Sequence, residues 1–210
     1  MSDRIRDDAP IGVFDSGFGG LTVLRQLQTA LPNERYVFFG DRSRCPYGPR
    51  PLSQVNMFVQ QICQWFVNQG AKLIVIACNT ATVAGLEEAR KRFDVPILGV
   101  IVPGARGAVE QTRNKRVGVI ATQATVNSNA YVAAIHSMKK DVEVSSVATP
   151  RFVEIVEHGL RTDGSPWEGF PSRTSDIHVR PEFRDIARAY LDPLRQSGID
   201  TLVLACTHFP

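Results

Sequence analysis

The sequence contains few of the patterns that build disulfide frameworks or metal centres. Its four cysteines, Cys45, Cys63, Cys78 and Cys206, form no CxxC pair and are too few and too irregularly spaced for a disulfide framework. Only four histidines are present, and none are separated by the His-x-x-x-His spacing, so we expect no zinc site. The composition therefore favours free thiols in a reducing compartment and no metal.

Long apolar runs and blocks of like charge are also missing. No stretch approaches the length that a bilayer requires, and residues 1–10 lack the apolar region of a signal peptide. The 24 basic and 21 acidic residues, with a net charge of +3, are scattered along the chain, which argues against a nucleic-acid partner. The 210 residues, 43% of them hydrophobic, suffice for one large or two small globular domains. We therefore predict a cytoplasmic protein with neither a nucleic-acid nor a membrane partner.

Short aliphatic runs alternate with longer amphipathic stretches along most of the chain. The predicted strands, expected to be buried on both faces, cover 11–15, 35–41, 73–77, 95–101, 116–122, 142–148 and 201–205. The predicted helices include 21–31, 55–69, 82–93, 129–140 and 183–197. This alternation is typical of an α/β fold with mostly parallel sheets flanked by helices, in which ligands bind at the carboxyl ends of the strands. Residues 161–181, rich in Gly, Pro and Ser, are predicted to form a surface loop.

An internal repeat links two of the cysteines. The segment "GAKLIVIACNT" (70–80) aligns without a gap with "GIDTLVLACTH" (198–208), so that Cys78 and Cys206 occupy equivalent positions. An amphipathic helix precedes each copy, and the repeated unit is helix, glycine cap, strand and cysteine. The repeat predicts two similar α/β lobes, which we assign to residues 1–99 and 100–210, with a cleft between them.

Two lobes with approximate two-fold symmetry place one thiol on each wall of that cleft. Racemisation next to a carboxylate removes a proton from one face of the carbon and delivers a proton to the other, which a thiolate and a thiol can do. A single free cysteine is more often a small buried hydrophobic residue, and that interpretation stands for Cys63. For Cys78 and Cys206, in the same register at two strand ends, catalysis is the favoured hypothesis, and Cys45 is assigned to a loop.

Polar residues follow the first and third predicted strands. The loop "FDSGFGGL" has Thr22 where a dinucleotide-binding loop has its third glycine, so nucleotide binding is disfavoured. Its glycines are instead predicted to let backbone N–H groups approach a small anion beside Asp15 and Ser16, with helix capping by Asp15 as the alternative. Asn79 and Thr80 begin a helix, where an N–H group and a hydroxyl can hold a carboxylate or simply cap the helix.

Four further residues carry weaker evidence by themselves. Tyr47 lies in the Pro/Gly turn "CPYGP", which is most often only a loop. His208 follows Cys206 closely enough to hold the proton of that thiol, although a lone histidine is more often structural. Glu154 and Glu157 are three residues apart on a predicted helix, where either can be simply solvated.

Five motifs together resemble a known family. "IGVFDSGFGGLTVLR", "PYGP", "ACNTAT", "PRFVEIVEHG" and "ACTHFP" occur in the order found in the glutamate racemases of the cofactor-independent aspartate/glutamate racemase superfamily, and the resemblance covers essentially the whole chain after residue 10. It implies interconversion of L- and D-glutamate without cofactor or metal, and a supply of D-glutamate for peptidoglycan. Glutamate is then the small-molecule partner, and a homodimer stays open as an assembly.

The resemblance also implies roles for individual residues. The two catalytic thiols correspond to Cys78 and Cys206, the assisting acid beside the first to Asp15, the assisting histidine beside the second to His208, and a further cleft glutamate to Glu157. Substrate contacts are implied for Asp15, Ser16, Tyr47, Gly48, Asn79, Thr80, Thr122, Thr207 and His208.

The chain departs from the family pattern in three places. "GDRSRCPYG" replaces the usual "GD-T-A-R-x-PYG", so Arg42, Ser43 and Cys45 are particular to the rim of this cleft, and residues 161–181 form a longer loop than in many members. Members also continue well past "CTH", so we expect this chain to be a fragment whose cleft lacks one wall and whose activity is impaired.

Two other functions compete with glutamate racemisation. The same thiol pair can serve a racemase of another acid, aspartate or a hydantoin, and relative turnover of glutamate and aspartate discriminates between them. A non-catalytic dicarboxylate-binding protein is the second alternative. It predicts calorimetric binding of glutamate without isotope exchange.

Overall fold

The computed structural model describes residues 8–158 and 181–209, and these form two parallel sheets. The strands of the first sheet are β1 (Ile11–Asp15), β2 (Tyr36–Gly40), β3 (Leu73–Ile76) and β4 (Ile97–Gly99), in the order β2-β1-β3-β4. The strands of the second are β5 (Arg116–Ala121), β6 (Glu143–Ala148) and β7 (Thr201–Ala205), in the order β6-β5-β7. Neighbouring strands pair in parallel in both sheets.

Helices connect the strands and pack beside the sheets. They are α1 (Leu21–Ala30), α2 (Leu52–Asn68), α3 (Asn79–Arg92), α4 (Ile101–Gln111), α5 (Gln123–Asn127), α6 (Ala130–Met138), α7 (Pro150–His158) and α8 (Pro181–Gln196). The predicted α/β fold with two lobes is confirmed. Among the described residues, no helix combines the length and the apolar character needed to cross a bilayer.

The two lobes repeat the same arrangement of three strands. β1 lies between β2 and β3 in the first sheet, as β5 lies between β6 and β7 in the second. The glycines that end the preceding helices, Gly70 and Gly198, have φ values of 71° and 74°, a left-handed conformation that glycine adopts without strain. The repeat found in the sequence therefore extends to the backbone. The predicted boundary near residue 100 lies between the end of β4 and the start of α4 and remains a prediction.

A second pair of equivalent glycines was not recognised in the sequence. Gly12 pairs in register with Ile74 of β3, and Gly118 pairs with Leu202 of β7. A Cβ on Gly12 would lie 2.5 Å from the ring of Phe66, and one on Gly118 would lie 2.5 Å from a methyl carbon of Ile199. The central strand of each lobe thus requires glycine where a side chain from the segment before the neighbouring strand, β3 or β7, packs against it.

Two details differ from the sequence-based prediction. Residues 95–101 do not form one strand, because β4 ends at Gly99 and α4 starts at Ile101, with Pro103 in its first turn, where a missing N–H group is tolerated. The prediction that each strand is buried on both faces is wrong for β7. Its Leu202 and Leu204 are 38% and 47% exposed and line an apolar groove of about 820 Å³.

The predicted loop 161–181 lies largely outside the described residues. Its last residue, Pro181, is the first residue of α8 and therefore belongs to the helix rather than to the loop. Proline is well tolerated at this position because the first helical residues have no intrahelical N–H partner.

The start of β7 is anchored to the end of α4 by one carboxylate, and this contact makes stability pH-dependent. Asp200 accepts hydrogen bonds of 2.7 Å from the Thr112 hydroxyl and from the N–H groups of Asn114 and Arg113, which hold the pKa of Asp200 well below its ordinary range. With a depressed folded-state pKa, the stabilisation is present above the unfolded-state pKa of about 3.9 and is lost as the pH falls towards the folded-state value.

We therefore expect Asp200→Asn to lower the melting temperature at pH 7 and to lower it less as the pH falls below about 4. Thermal unfolding of both proteins, followed by circular dichroism between pH 2.5 and 7, measures the difference. A difference in melting temperature that stays constant across this range would show that the charge of Asp200 does not stabilise the fold.

Candidate active site

The two repeated cysteines line one narrow cavity between the lobes. The first lobe contributes Ser16, Pro46, Tyr47, Gly48, Cys78, Asn79 and Thr80, and the second contributes Thr122, Val153, Ala205, Cys206, Thr207 and His208. The carboxyl ends of equivalent strands in the two lobes therefore face each other, as the repeat predicts.

Cys78 forms the N-cap of α3. Its Sγ accepts a hydrogen bond from the Ala81 N–H at 3.4 Å and donates one to Ser16 Oγ at 3.8 Å. Burial, reinforced by the charge of Asp15, raises the pKa of Cys78 well above its ordinary value. The thiol is therefore neutral at pH 7. The N-terminus of α3 supplies the positive end of a helix dipole that favours a thiolate once it forms.

Cys206 begins a chain of hydrogen bonds that crosses the second wall. Its Sγ lies 3.4 Å from Nδ1 of His208, and Nε2 of His208 lies 2.6 Å from Oε1 of Glu157. Burial raises the pKa of Cys206 to about 12. Burial acts against ionisation of Glu157 too, but hydrogen bonds from His208 and Cys45 hold its pKa below the ordinary value. A charged Glu157 accepts a hydrogen bond from Nε2 of His208 and orients its ring.

Asp15 is completely buried and joins the two lobes. Its Oδ2 accepts hydrogen bonds from the N–H groups of Gly17 and Gly20 at 3.1 Å, and its Oδ1 accepts one from the Thr207 hydroxyl at 3.1 Å. The prediction that N–H groups of this loop hold an external anion is therefore wrong for these two glycines, because the carboxylate of Asp15 occupies both. Asp15 organises the loop before α1 and fixes Thr207 beside Cys206, whereas the N-cap of α1 is Gly20 and not Asp15 as the capping alternative proposed.

The remaining polar groups of the cleft are hydrogen-bonded, and two of these hydrogen bonds join the two lobes. Thr80 Oγ1 lies 2.9 Å from Thr122 Oγ1 of the other lobe, and Asn79 Oδ1 accepts a hydrogen bond of 2.8 Å from the Tyr131 hydroxyl. The hydroxyl of Tyr47 donates to the carboxylate of Asp41, which leaves its ring against the cavity. The backbone at the N-terminus of α3 and the threonine side chains therefore line the cleft.

Comparison with known proteins decides the family of the chain. The family model described as Asp/Glu/Hydantoin racemase matches residues 11–210. The chain belongs to this racemase family. A curated glutamate racemase from Trichormus variabilis is 48% identical over 210 residues, which cover 100% of this chain and 65% of that protein. This chain therefore spans about two thirds of the length of that relative.

Solved structures of racemases have the same fold. A glutamate racemase isoform from Bacillus anthracis aligns with a TM-score of 0.84 and 36% identity, covering 98% of this chain and 71% of the other. A glutamate racemase from Francisella tularensis, solved in complex with D-glutamate, aligns with a TM-score of 0.81 and 34% identity, covering 97% and 70%. The two-lobed fold of this chain is therefore that of the racemases.

Ten of the twelve predicted site residues line the central cavity. Asp15 lies beneath it, and Glu157 lines an adjoining cavity of about 520 Å³ that shares Pro46, Gly48, Thr122 and Val153 with the first. Pro46 and Ala205 were missed although each directly precedes a predicted residue. Val153 was missed although it is one helical turn before Glu157 on α7. Tyr131 gave no signal in the sequence.

We expect the thiol of Cys78 to react slowly with alkylating reagents at neutral pH. Because the pKa of Cys78 is raised and the thiolate is the reactive form, its alkylation rate should rise about tenfold per pH unit and still be rising at pH 9, where an ordinary thiol with a pKa of about 8.5 levels off. Mass-spectrometric mapping of the Cys78 peptide after timed iodoacetamide treatment measures this rate. A plateau below pH 8.5 would contradict the raised pKa.

Proposed function

We propose that the chain carries the active site of a glutamate racemase that interconverts L- and D-glutamate by cofactor-independent transfer of protons between two cysteines. One observation carries the proposal: Cys78 and Cys206, at the ends of equivalent strands in two equivalent lobes, line the same cavity. A planar carbanion formed at Cα between two such thiols is accessible from both faces, which racemisation requires.

In the proposed reaction, one cysteine as thiolate removes the Cα proton and the other, as thiol, delivers its proton to the opposite face. The two cysteines exchange these states when the reaction runs in reverse. Because burial raises the pKa of both thiols, each must lose its proton before it acts as the base. For Cys206 the acceptor is His208 Nδ1 at 3.4 Å, and the resulting imidazolium is stabilised by Glu157.

The surroundings of Cys78 differ from those of Cys206. Ser16 Oγ and the Ala81 N–H lie within hydrogen-bonding distance of Sγ and stabilise the thiolate. The carboxylate of Asp15 acts on this thiol through its charge, which disfavours a permanent thiolate and makes Cys78 a stronger base once it is ionised. We assign Asp15 the role of the assisting acid on this side: its carboxylate takes up the proton that Cys78 loses and returns that proton when Cys78 becomes a thiol again, with its position fixed by Thr207 from the other lobe.

The substrate is held by the polar groups between the thiols. The N-terminus of α3 favours an anionic group, and the hydroxyls of Ser16, Thr80, Thr122 and Thr207 provide hydrogen bonds around it. Glutamate is favoured over aspartate or a hydantoin because relatives at 48% identity are glutamate racemases and because the Francisella protein was solved in complex with D-glutamate. Since these relatives are enzymes, catalysis is also favoured over simple dicarboxylate binding.

The decisive experiment is incubation of L-glutamate with the protein in D₂O. We expect optical activity to decay to zero and deuterium to appear at Cα, as measured by polarimetry and NMR. L-aspartate in parallel should turn over at least about tenfold more slowly, the minimum effect of one methylene in a shaped pocket. Faster turnover of aspartate would assign the other substrate, and calorimetric binding of glutamate without deuterium exchange would support the binding-protein alternative.

The biological role follows from the product. We propose that D-glutamate made in the cytoplasm by this racemase enters peptidoglycan synthesis, which the family resemblance implies. The test is growth of a bacterial strain that requires added D-glutamate, transformed with this gene. Growth without D-glutamate supports the role, whereas continued dependence on D-glutamate despite measurable racemisation in extracts of the transformed cells would contradict it.

A further inference from the structure

Three potential metal ligands converge at the rim of the cleft. They are Sγ of Cys45 in the loop after β2, Oε1 of Glu157 on α7 and Nε2 of His208 after β7, and all three atoms lie within 4.8 Å of one another. Cys45 Sγ donates to Glu157 Oε1 at 3.3 Å, and His208 Nε2 lies 2.6 Å from the same oxygen. Since the three residues come from distant parts of the chain, spacing in the sequence gave no sign of the cluster.

We propose that Cys45, Glu157 and His208 bind one thiophilic divalent ion, of which Zn²⁺ is the prototype, and that the bound ion inhibits the enzyme reversibly. Sulfur, imidazole nitrogen and carboxylate oxygen together form a donor set suited to zinc and cobalt rather than to magnesium or calcium. In tetrahedral geometry, Zn–S bonds of about 2.3 Å and Zn–N and Zn–O bonds of about 2.0–2.2 Å place the ligand atoms about 3–4 Å apart.

The cluster is already close to that spacing. The Cys45–Glu157 separation lies within it, the short His208–Glu157 contact must open by about 1 Å, and the Cys45 and His208 ligand atoms lie within 4.8 Å of each other. Glu157 also lines the adjoining cavity of about 520 Å³, from which water can supply a fourth ligand. Three protein ligands with one open position describe a site that an ion can enter and leave.

The charges around the cluster are compatible with a cation. On binding, the metal–sulfur bond replaces the Cys45 S–H bond, and the proton passes to solvent, so that the thiolate and the Glu157 carboxylate together neutralise the ion. The buried carboxylate of Asp15 adds attraction, since it already acts electrostatically on Cys45. Arg42, 3.9 Å from Oε2 of Glu157, opposes the ion, but its side chain is 54% exposed and can turn into solvent.

The inhibition rests on the proposed function. A metal on Nε2 leaves the remaining ring proton of neutral His208 on Nδ1, the atom that faces Cys206. That nitrogen then donates a hydrogen bond and cannot accept the proton of the thiol, and Glu157 is no longer available to stabilise an imidazolium. Cys206 therefore cannot become the base. Because the equilibrium constant of racemisation is fixed, kcat/KM falls by the same factor in both directions.

The binding test uses Co²⁺ as a spectroscopic probe and does not depend on activity. Titration of the chain with Co²⁺ should show one equivalent bound, with a thiolate-to-cobalt charge-transfer band that Zn²⁺ abolishes by displacement. Cys45→Ser should lose this band, and Glu157→Gln should weaken binding at least about tenfold. Glu154→Gln, one turn away on α7, is the matched control and should bind normally. An unchanged charge-transfer band in Cys45→Ser, or no saturable binding by the unaltered chain, would overturn the proposal.

The activity test separates inhibition from binding. Micromolar Zn²⁺ should inhibit racemisation, a chelator should restore it, and Cys45→Ser should need at least about tenfold more Zn²⁺ for the same inhibition. Circular dichroism of Cys45→Ser verifies its fold, and Glu157→Gln provides an independent binding result if the serine variant is unfolded.

Co²⁺ binding to a chain with no racemase activity would refute the proposed function and leave the metal site standing. Equal Zn²⁺ sensitivity of Cys45→Ser and the unaltered chain would refute the inhibitory role.

Discussion

Replacing either Cys78 or Cys206 by serine should lower the rate of glutamate racemisation at least about 10³-fold, in line with the loss of a general acid–base group. A serine hydroxyl in the same position does not ionise in this pH range, so neither proton abstraction nor return from that side of the cleft can proceed. Polarimetry with L- and D-glutamate measures both directions. Cys63→Ala is the control, because Cys63 is buried in the core of the first lobe, and its loss should change stability and not chemistry.

The two serine variants should also differ from each other. Each retains one thiol on one wall and can still exchange the Cα proton of the enantiomer whose proton faces that wall, returning a solvent deuteron to the same side. We therefore expect Cys78→Ser and Cys206→Ser to exchange opposite enantiomers in D₂O without racemising them. Racemisation retained in both variants, or exchange of the same enantiomer by both, would rule out two cysteines acting from opposite faces.

The features of the site that could be predicted are those that repeat. "ACNT" and "ACTH" end strands of the same register, so one comparison of the chain with itself placed Cys78 and Cys206 on opposing walls, as the structure has them. The strand-end rule for parallel sheets found Ser16, Asn79 and Thr80 by the same logic. Local pattern was sufficient here because each residue follows a buried strand directly, and the strand fixes where it points.

The features that could not be predicted depend on contacts between distant segments. The Tyr131 hydroxyl reaches Asn79 only because α6 packs beside the cleft, and nothing near Tyr131 in the sequence marks it. The convergence of Cys45, Glu157 and His208 likewise follows from the way α7 and two strand-end loops meet. The start of α4 was hidden because Pro103 and two glycines interrupt its apolar period, although proline is allowed in a first turn.

The loop after β1 shows how closely the two lobes approach, and it yields the second prediction. A Cβ on Gly19 would lie 2.4 Å from the carbonyl oxygen of Thr207 and 2.7 Å from its carbonyl carbon, so a methyl group here requires the backbone beside Cys206 to move by about 1 Å. Thr207 also donates to Asp15, and the displacement reaches both thiol environments. Gly17, two residues earlier, offers a matched comparison, because its Cβ would have only ordinary contacts at 3.5 Å.

We therefore expect Gly19→Ala to lower kcat/KM for glutamate at least about 10²-fold, the cost of a misplacement of about 1 Å in a catalytic group. The free energy of unfolding should fall by only about 1–3 kcal/mol, as for other overpacked contacts, since the cores of both lobes are untouched. Gly17→Ala should keep activity within about threefold, because its methyl group displaces no backbone. Parallel kinetics and urea unfolding of the two variants make the comparison.

Equal activity of Gly19→Ala and Gly17→Ala would mean that the contact between this loop and Thr207 does not position Cys206. A loss of activity in Gly19→Ala that only matched its loss of folded protein would trace the effect to stability instead.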